Sequence, residues 1–347
     1  MKKEITYRLV VSILVLLFIA VIGLEVAPCQ AADKKWTLKA QAITGPTARV
    51  STLEGAWALL DKIEKETKGR VKFKRFVKSQ LAKPKEVPTA LEKGLIDWHF
   101  TGGLALYTGV APEIGFNMVP GTITDWETAE KVVRNPEMLE ILEKAWNTCN
   151  GHWVAYVAGS EQAFLLNKPI KSFDDLSRLR LGSSGGMFDR FIQQCGATAV
   201  TVPPAERYTA LQRGLIDGIT GPIYALGDYK WGEVTRQVVW PPLVYPNVYG
   251  HVMRKDLWDE FPDDIKASIQ RAVQWHWGHM KTFIVEKMEK TKNPGIFKKY
   301  KMELFSLSGS DRTKFDKASA EVQEIFGRQS PECRRMLDIY NSQIKGK

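Results

Sequence analysis

The chain of 347 residues has little cysteine and little histidine, four and five residues respectively. One of the four, Cys29, lies in the N-terminal segment. Cys149, Cys195 and Cys333 are an odd number far apart, which excludes a disulfide framework. No Cys-x-x-Cys pair and no Cys/His spacing suits zinc, so neither a metal nor any other cofactor is expected. Blocks of like charge are also missing. The 49 Lys and Arg are interleaved with 39 Asp and Glu, for a net charge of +10. With no basic stripe, nucleic acid is not an expected partner, whereas a diffuse positive potential suits anionic solutes. Beyond the N-terminus no segment is apolar enough to span a membrane.

The N-terminus differs. Lys2, Lys3 and Arg8 precede the uncharged run Leu9 to Leu24, and Glu25-Val-Ala-Pro-Cys-Gln-Ala-Ala32 follows with small residues. This layout predicts a secretory signal peptide over residues 1–31, cleaved after Ala31 or Ala32, and an exported, periplasmic protein. The alternative is a retained anchor, for which the run is short of the roughly 20 residues a spanning helix needs. Pro28 before Cys29 disfavours lipid attachment. About 315 residues then remain, enough for two domains with real cores.

Alternation over Trp36–Ile43 predicts a strand, and Leu53, Trp57, Leu60 and Ile63 recur at helical spacing over about 52–67. Val71–Phe76 reads as the next strand, so the mature chain opens β-α-β. The most informative feature is an echo: residues 90–97 read ALEKGLID and residues 210–217 read ALQRGLID. In each, a helix ends on a glycine suited to a left-handed position, Gly94 or Gly214, and a short strand starts with Leu-Ile-Asp. A glycine-containing turn follows each, at 99–103 and 218–222. Helix–Gly–strand punctuation is common. Two α/β lobes of like construction, each offering a strand-end loop to a shared cleft, are the sharper reading, because ligands of open α/β sheets sit beyond the carboxyl ends of strands. In the second lobe, Ser172 is the expected cap of a short helix, a strand covers 179–181, a Gly/Ser turn 182–186 and a helix 187–194. A helical tail over about 310–344 is expected to brace the lobes.

Residues 168–218 resemble the solute-binding proteins of tripartite ATP-independent periplasmic (TRAP) transporters. The matching residues are Lys168-Pro-Ile-Lys-Ser-Phe-Asp-Asp-Leu176, Arg178-Leu-Arg180, Gly196-Ala197 and Val202-Pro-Pro-Ala-Glu206 through Gly218. The opening helix, the first ALxxGLID and Leu257-Trp-Asp-Glu-Phe-Pro-Asp-Asp264 are similar as well. The resemblance implies an α/β, two-lobed clamp like that of periplasmic binding proteins, with hinge strands and a bracing C-terminal helix. It places lobe I at 33–155 plus about 247–286 and lobe II at 156–246 plus about 287–345. It implies capture of a small organic carboxylate, delivery to the membrane permease subunits of a TRAP transporter, and no enzymatic activity. A sensory receptor domain of the same fold would look alike in sequence. It also implies that Arg180 grips the solute carboxylate. Some members carry a second cation about twenty residues earlier. Here that stretch is Gly159-Ser-Glu-Gln162, which argues against a solute of the sialic-acid kind but not against a simple carboxylate. The asparagine some members carry after Asp-Gly is replaced by Thr220-Gly221.

From its chemistry alone, Arg180 offers a planar fork that fits a carboxylate, but it could equally pair with a structural acid such as Asp175 or Glu206. Ser183, Ser184, Gly185 and Gly186 form a turn before a helix, suited to an anion or to an ordinary cap. The echoed loops, Thr220-Gly221 and His99-Phe100-Thr101-Gly102, are expected to touch solute in part. Of Trp98 and Phe100, one is expected in the core and the other toward the cleft. Tyr224, Trp240, Tyr245, Asn247 and Tyr249 lie near the return to lobe I, and Tyr224 and Asn247 join the candidate site. Gly182-Ser-Ser184-Gly-Gly186 also fits the G-x-S-x-G nucleophile elbow of a serine hydrolase, with Asp217 or Asp228 and then His251 following in order. His276-Trp-Gly-His279 is too tight for the metalloprotease spacing and reads as helix surface.

Overall fold

A computed structural model describes residues 34–43, 51–101 and 104–344. The expected signal segment and Gly102 lie outside the described residues. Among the described residues no helix is long and apolar enough to cross a membrane. Period-two burial makes β1 of Trp36–Ala42 and β2 of Val71–Phe76. The remaining strands are β3 (Trp98–Phe100), β4 (Gly151–Ala158), β5 (Gln162–Leu166), β6 (Arg180–Ser183), β7 (Thr198–Thr201), β8 (Gly218–Gly221), β9 (Gln237–Val244), β10 (Val248–Arg254) and β11 (Glu303–Ser306).

They form two sheets, in the orders β2-β1-β3-β10-β4 and β11-β9-β5-β8-β6-β7. Each sheet is mixed. β1 and β3 are parallel, as are β6 with both β7 and β8, while β10 is antiparallel to β3 and β4, and β5 to β8 and β9. The chain crosses between sheets at Gly159–Glu161, from β4 to β5, and at Tyr245–Asn247, from β9 to β10. The crossings are bonded to each other: Gly159 N donates to Asn247 O at 2.6 Å and Asn247 N to Ser160 O at 2.8 Å. A third crossing is helical. Asp263–Thr282, a π-helical stretch Phe283–Lys292 and Asn293–Tyr300 run on without a break. This run ties to the helix Ser51–Glu66 through Lys287–Glu54, at 2.7 Å, and to the second lobe through Lys292–Asp228.

The tail bridges both lobes. On the helix Gly309–Gly327, Phe315 packs on Phe173 and Phe191 of the second lobe. On Pro331–Ile344, Tyr340 donates to Gly121 O at 2.9 Å and Arg335 pairs with Glu137, both of the first lobe.

The echo is a duplicated clip. Gly94 and Gly214 have φ of +64° and +66°, the left-handed turn that lets each short helix reverse into its strand. The aspartate that follows then brackets one residue of the neighbouring strand, Lys39 within β1 or Arg180 at the start of β6. Asp97 N donates to Lys39 O and its carboxylate accepts from Lys39 N at 2.8 Å. Asp217 N donates to Arg180 O and its carboxylate accepts from Arg180 N at 2.9 Å. Both clips lie at the amino ends of β3 and β8. The carboxyl ends of β3 and β8 therefore run toward the crossings, where Thr101 N meets Gly250 O and Gly221 pairs with Ala163. Any cleft served by the echoed loops lies on that side.

Candidate functional site

Arg180 stands at the amino end of β6, away from that side. Its side chain is 46 % exposed and its Nε and Nη2 donate to Asp217 at 3.0 and 3.1 Å. Nη2 also donates to Gly214 O at 2.8 Å. The first lobe repeats the contact with Lys39, whose Nζ donates to Gly94 O at 2.6 Å. Arg180 is thus the lobe II copy of a structural cation. Of the two readings its chemistry allowed, pairing with a structural acid is the one seen, and that acid is Asp217, not Asp175 or Glu206. Lys168 adds a 2.7 Å contact to Asp217. These cations and the Arg180 N–H outweigh burial and hold the Asp217 carboxyl well below its usual range.

The enclosed arginine is Arg207, 3 % exposed, at the start of the helix Arg207–Gln212. Nε donates to Val202 O at 3.0 Å, Nη1 to Thr220 O at 2.8 Å and Nη2 to Ser184 Oγ at 2.7 Å. Its guanidinium also lies over the Trp231 ring. All three acceptors are neutral oxygens, and it forms no ion pair among the described residues. Burial pulls its pKa down to about 10, so it stays charged. Asp189 acts on it only through space, and a buried cation with no ion pair and with five N–H donors only partly used has capacity for an anion. The echo, carried four residues further toward the N-terminus, exposes this residue in the sequence. Glu86 matches Glu206 and Thr89 matches Thr209, while Val87, fully buried, stands where lobe II has Arg207. Where two copies of one module agree, the residues serve the module. A buried cation replacing valine in one copy serves something else.

Unpartnered polar groups gather at the crossings. Ser160 Oγ and both amide atoms of Asn247 are buried without a hydrogen-bond partner, as are Tyr156 Oη and both amide atoms of Asn117. The side chains of Tyr224, Asn247 and Gln162 stand around the Tyr249 hydroxyl. Glu161 is 2 % exposed and its Oε1 accepts from Ile223 N at 2.6 Å. Burial pushes its carboxyl up to about 7, with a further upward push from Glu289. On the π-helical stretch, burial also raises Glu289. Its Oε2 accepts from Tyr245 Oη at 3.0 Å, and its Oε1 has no partner.

The remaining expected site residues divide. Ser184, Thr220, Tyr224 and Asn247 belong to this neighbourhood. Gly221 is filled on its free side by Trp231, 2.8 Å from where a Cβ would stand. Ser183 is capped, bonding Asp189 and accepting from Gly185 N. Trp98 and Phe100 are both core. Residues two apart on a strand share a face, so neither turns to the cleft; Trp98 Nε1 donates to His251 Nδ1 at 2.9 Å and Phe100 packs on His251 and Tyr249. Thr101 Oγ1 accepts from Gly250 N and is buried.

The serine-hydrolase constellation does not assemble. Ser184 Oγ accepts from Arg207, His251 is sealed in the first sheet behind Trp98, Asp217 belongs to Arg180, and Asp228 to Lys292. His276 is fully buried, not on the helix surface as expected. Among the described residues no group of three metal-ligating side chains occurs, and Cys149, Cys195 and Cys333 are buried free thiols. At the lobe edge, the position a Gly186 Cβ would occupy is 3.7 Å from Ala105 Cβ of the first lobe, so the two walls meet there.

Two sheets joined by paired crossing strands, with buried polar groups at the junction, define a two-lobed solute-capturing clamp. The chain belongs to the bacterial extracellular solute-binding proteins, family 7, whose family model matches residues 46–329. Among curated relatives, the uncharacterized protein YiiZ of Salmonella typhimurium is 27 % identical over 50 % of this chain and 54 % of its own length. The chain therefore spans about half of that relative. A solute-binding protein of Albidiferax ferrireducens is 22 % identical over 80 % of this chain and 82 % of its own. Two solved TRAP periplasmic solute-binding proteins share the fold. One, from Desulfovibrio desulfuricans with bound sn-glycerol-3-phosphate, has a TM-score of 0.80 at 19 % identity, covering 88 % of this chain and 97 % of that one. The other, from Rhodoferax ferrireducens with bound malonate, has a TM-score of 0.76 at 18 % identity, covering 89 % and 98 %.

Proposed function

We propose that the protein is a periplasmic, non-enzymatic carrier that captures a small organic anion in the junction between its lobes and presents the closed form to a TRAP-type membrane permease. The observation that carries this reading is Arg207, a buried guanidinium held only by neutral oxygens of Val202, Thr220 and Ser184. Such a group is stable when a guest supplies the counter-charge with two parallel hydrogen bonds. The fold likeness to proteins holding malonate and sn-glycerol-3-phosphate supports an anion as the guest. Asn247, Gln162, Tyr224 and Tyr249 supply the hydrogen bonds that fix the rest of the solute.

The test is thermal-shift screening of the mature protein against small carboxylates and phosphate esters. A tight ligand at about 100 times its Kd stabilises the fold by about 2.7 kcal/mol, which a melting curve reads directly. The reading expects a melting-point rise with at least one anion and none with its uncharged amide or ester. A shift produced only by uncharged sugars would sink it.

A further inference from the structure

Arg207 is not the only buried charge at the junction. Glu289 lies close enough to Glu161 to raise its carboxyl, burial raises Glu289 itself, and neither acid has an ion-pair partner among the described residues. The chain is not short of cations. Lys292, one helical turn beyond Glu289, is committed to Asp228. We propose that the solute is a zwitterion of amino-acid type, its carboxylate on Arg207 and its ammonium against Glu161, with Glu289 behind. This rests on the reading of the junction given above and names the chemical class it takes.

The geometry supports it in three ways. First, the cation and the acid hang from one strand end. Arg207 Nη1 bonds Thr220 O and Glu161 Oε1 bonds Ile223 N, and three residues of backbone span at most about 10 Å. Second, Asn247 stands beside the Glu161 segment. Its N–H bonds Ser160 O, next to Glu161, and its side chain is at Tyr249. Its amide carries a free acceptor and a free donor in a fully buried place, and such an amide serves a guest with donors and acceptors of its own. Third, the alternative of a second carboxylate on a protonated Glu161 would set that anion near Glu289 and the Tyr245 oxygen bonded to it. An ammonium instead neutralises what the two acids share. The groups facing Glu161 are Glu289, Tyr245 and the Ile223 N–H, and none of them is a cation.

The experiment is calorimetric titration of the mature protein with paired probes. These are the twenty protein amino acids and the ω-amino acids from 3-aminopropanoate to 5-aminopentanoate, each beside the carboxylate lacking its amino group. The inference expects binding in the amino half, with each desamino partner weaker by about tenfold or more. Glu161→Gln is expected to abolish that difference. Should Glu161→Gln fail to fold, wild-type titrations at pH 7 in phosphate and in Tris replace it. An ammonium that ionises Glu161 must release protons, so the apparent enthalpy must differ between the buffers. Equal or tighter binding of the desamino partners, or equal enthalpies in the two buffers, overturns the zwitterion and leaves the anion carrier standing. Binding by neither half overturns the zwitterion, and the anion carrier falls with it if the phosphate esters of the thermal-shift screen are silent as well.

Discussion

At the scale of single residues, two arginines of one lobe have opposite fates. Arg180 is half-exposed beside the buried Asp217, whereas Arg207 is buried, its hydrogen bonds going to neutral oxygens. Arg180→Met is therefore expected to lower stability and leave solute affinity within about threefold, read by denaturation and calorimetry in parallel. Asp217 carries a pH signature. Its folded pKa lies below the unfolded value, so its contribution is complete above about pH 4 and is lost as pH falls through the acid range. Asp217→Asn should cost about 2 kcal/mol near neutrality, since donors of Arg180 and Lys168 lose their charged partner, and the gap to wild type should shrink below pH 4. A gap that widens on acidification would contradict the assignment.

The same residues show what the sequence could reveal. The guanidinium fork marked Arg180 as a carboxylate anchor or a partner of structural acids, and residue chemistry alone could not choose. The choice lies in the strand's direction. Residue 180 begins β6 and residue 183 ends it, so only the latter end faces the junction. Arg207 was legible, though only by aligning residues 86–97 with 206–217 and asking where the copies disagree. Asn247, Tyr224, Ser184 and Thr220 could be named from their place near a turn or a chain return. Glu161 stood in a stretch noted for its missing arginine, and its isolation by burial emerges only once β4 and β10 pair.

At the scale of elements, local pattern placed β2 over 71–76, the helix over 187–194 and the two helix–Gly–strand punctuations where the structure has them. Pattern could not show that the sheets are mixed, because antiparallel insertion of β10 between β3 and β4 is a long-range pairing with no local signal. The exchange of chain between sheets falls at 159–161 and 245–247, against expected changes at 155/156 and 246/247. The 286/287 change falls inside the π-helical stretch. The first crossing should itself titrate. The folded pKa of Glu161, about 7, is above its ordinary 4.5, so the folded protein holds a proton the unfolded chain has lost. Solute-free stability should therefore fall as pH rises from about 4.5 to about 7, and Glu161→Gln should remove that slope. A solute-free wild type whose denaturation midpoint is flat over that window, with the same profile in the variant, would contradict the burial of this acid.

At the scale of the whole molecule, the paired crossings, the unbroken helical run and the bracing tail link the lobes in three places, a construction suited to a limited hinge motion. Gly186 lies against Ala105 where the two lobes meet. Gly186→Ala adds a methyl to that contact at a φ of +64°, a conformation alanine adopts poorly, and should weaken solute binding more than it lowers the melting temperature. Solute binding should reduce the radius of gyration in scattering, since a ligand shifts an equilibrium only by preferring one state.

The central claim is that the enclosed guanidinium of Arg207 holds the anion. Its most direct measurement is calorimetric titration of the tightest-binding anion into wild type, Arg207→Met and Arg180→Met. The account predicts a loss of about 30-fold or more for Arg207→Met, the scale of removing one partner of a buried charged pair, and near-wild-type affinity for Arg180→Met. Retained affinity in Arg207→Met together with loss in Arg180→Met would contradict it.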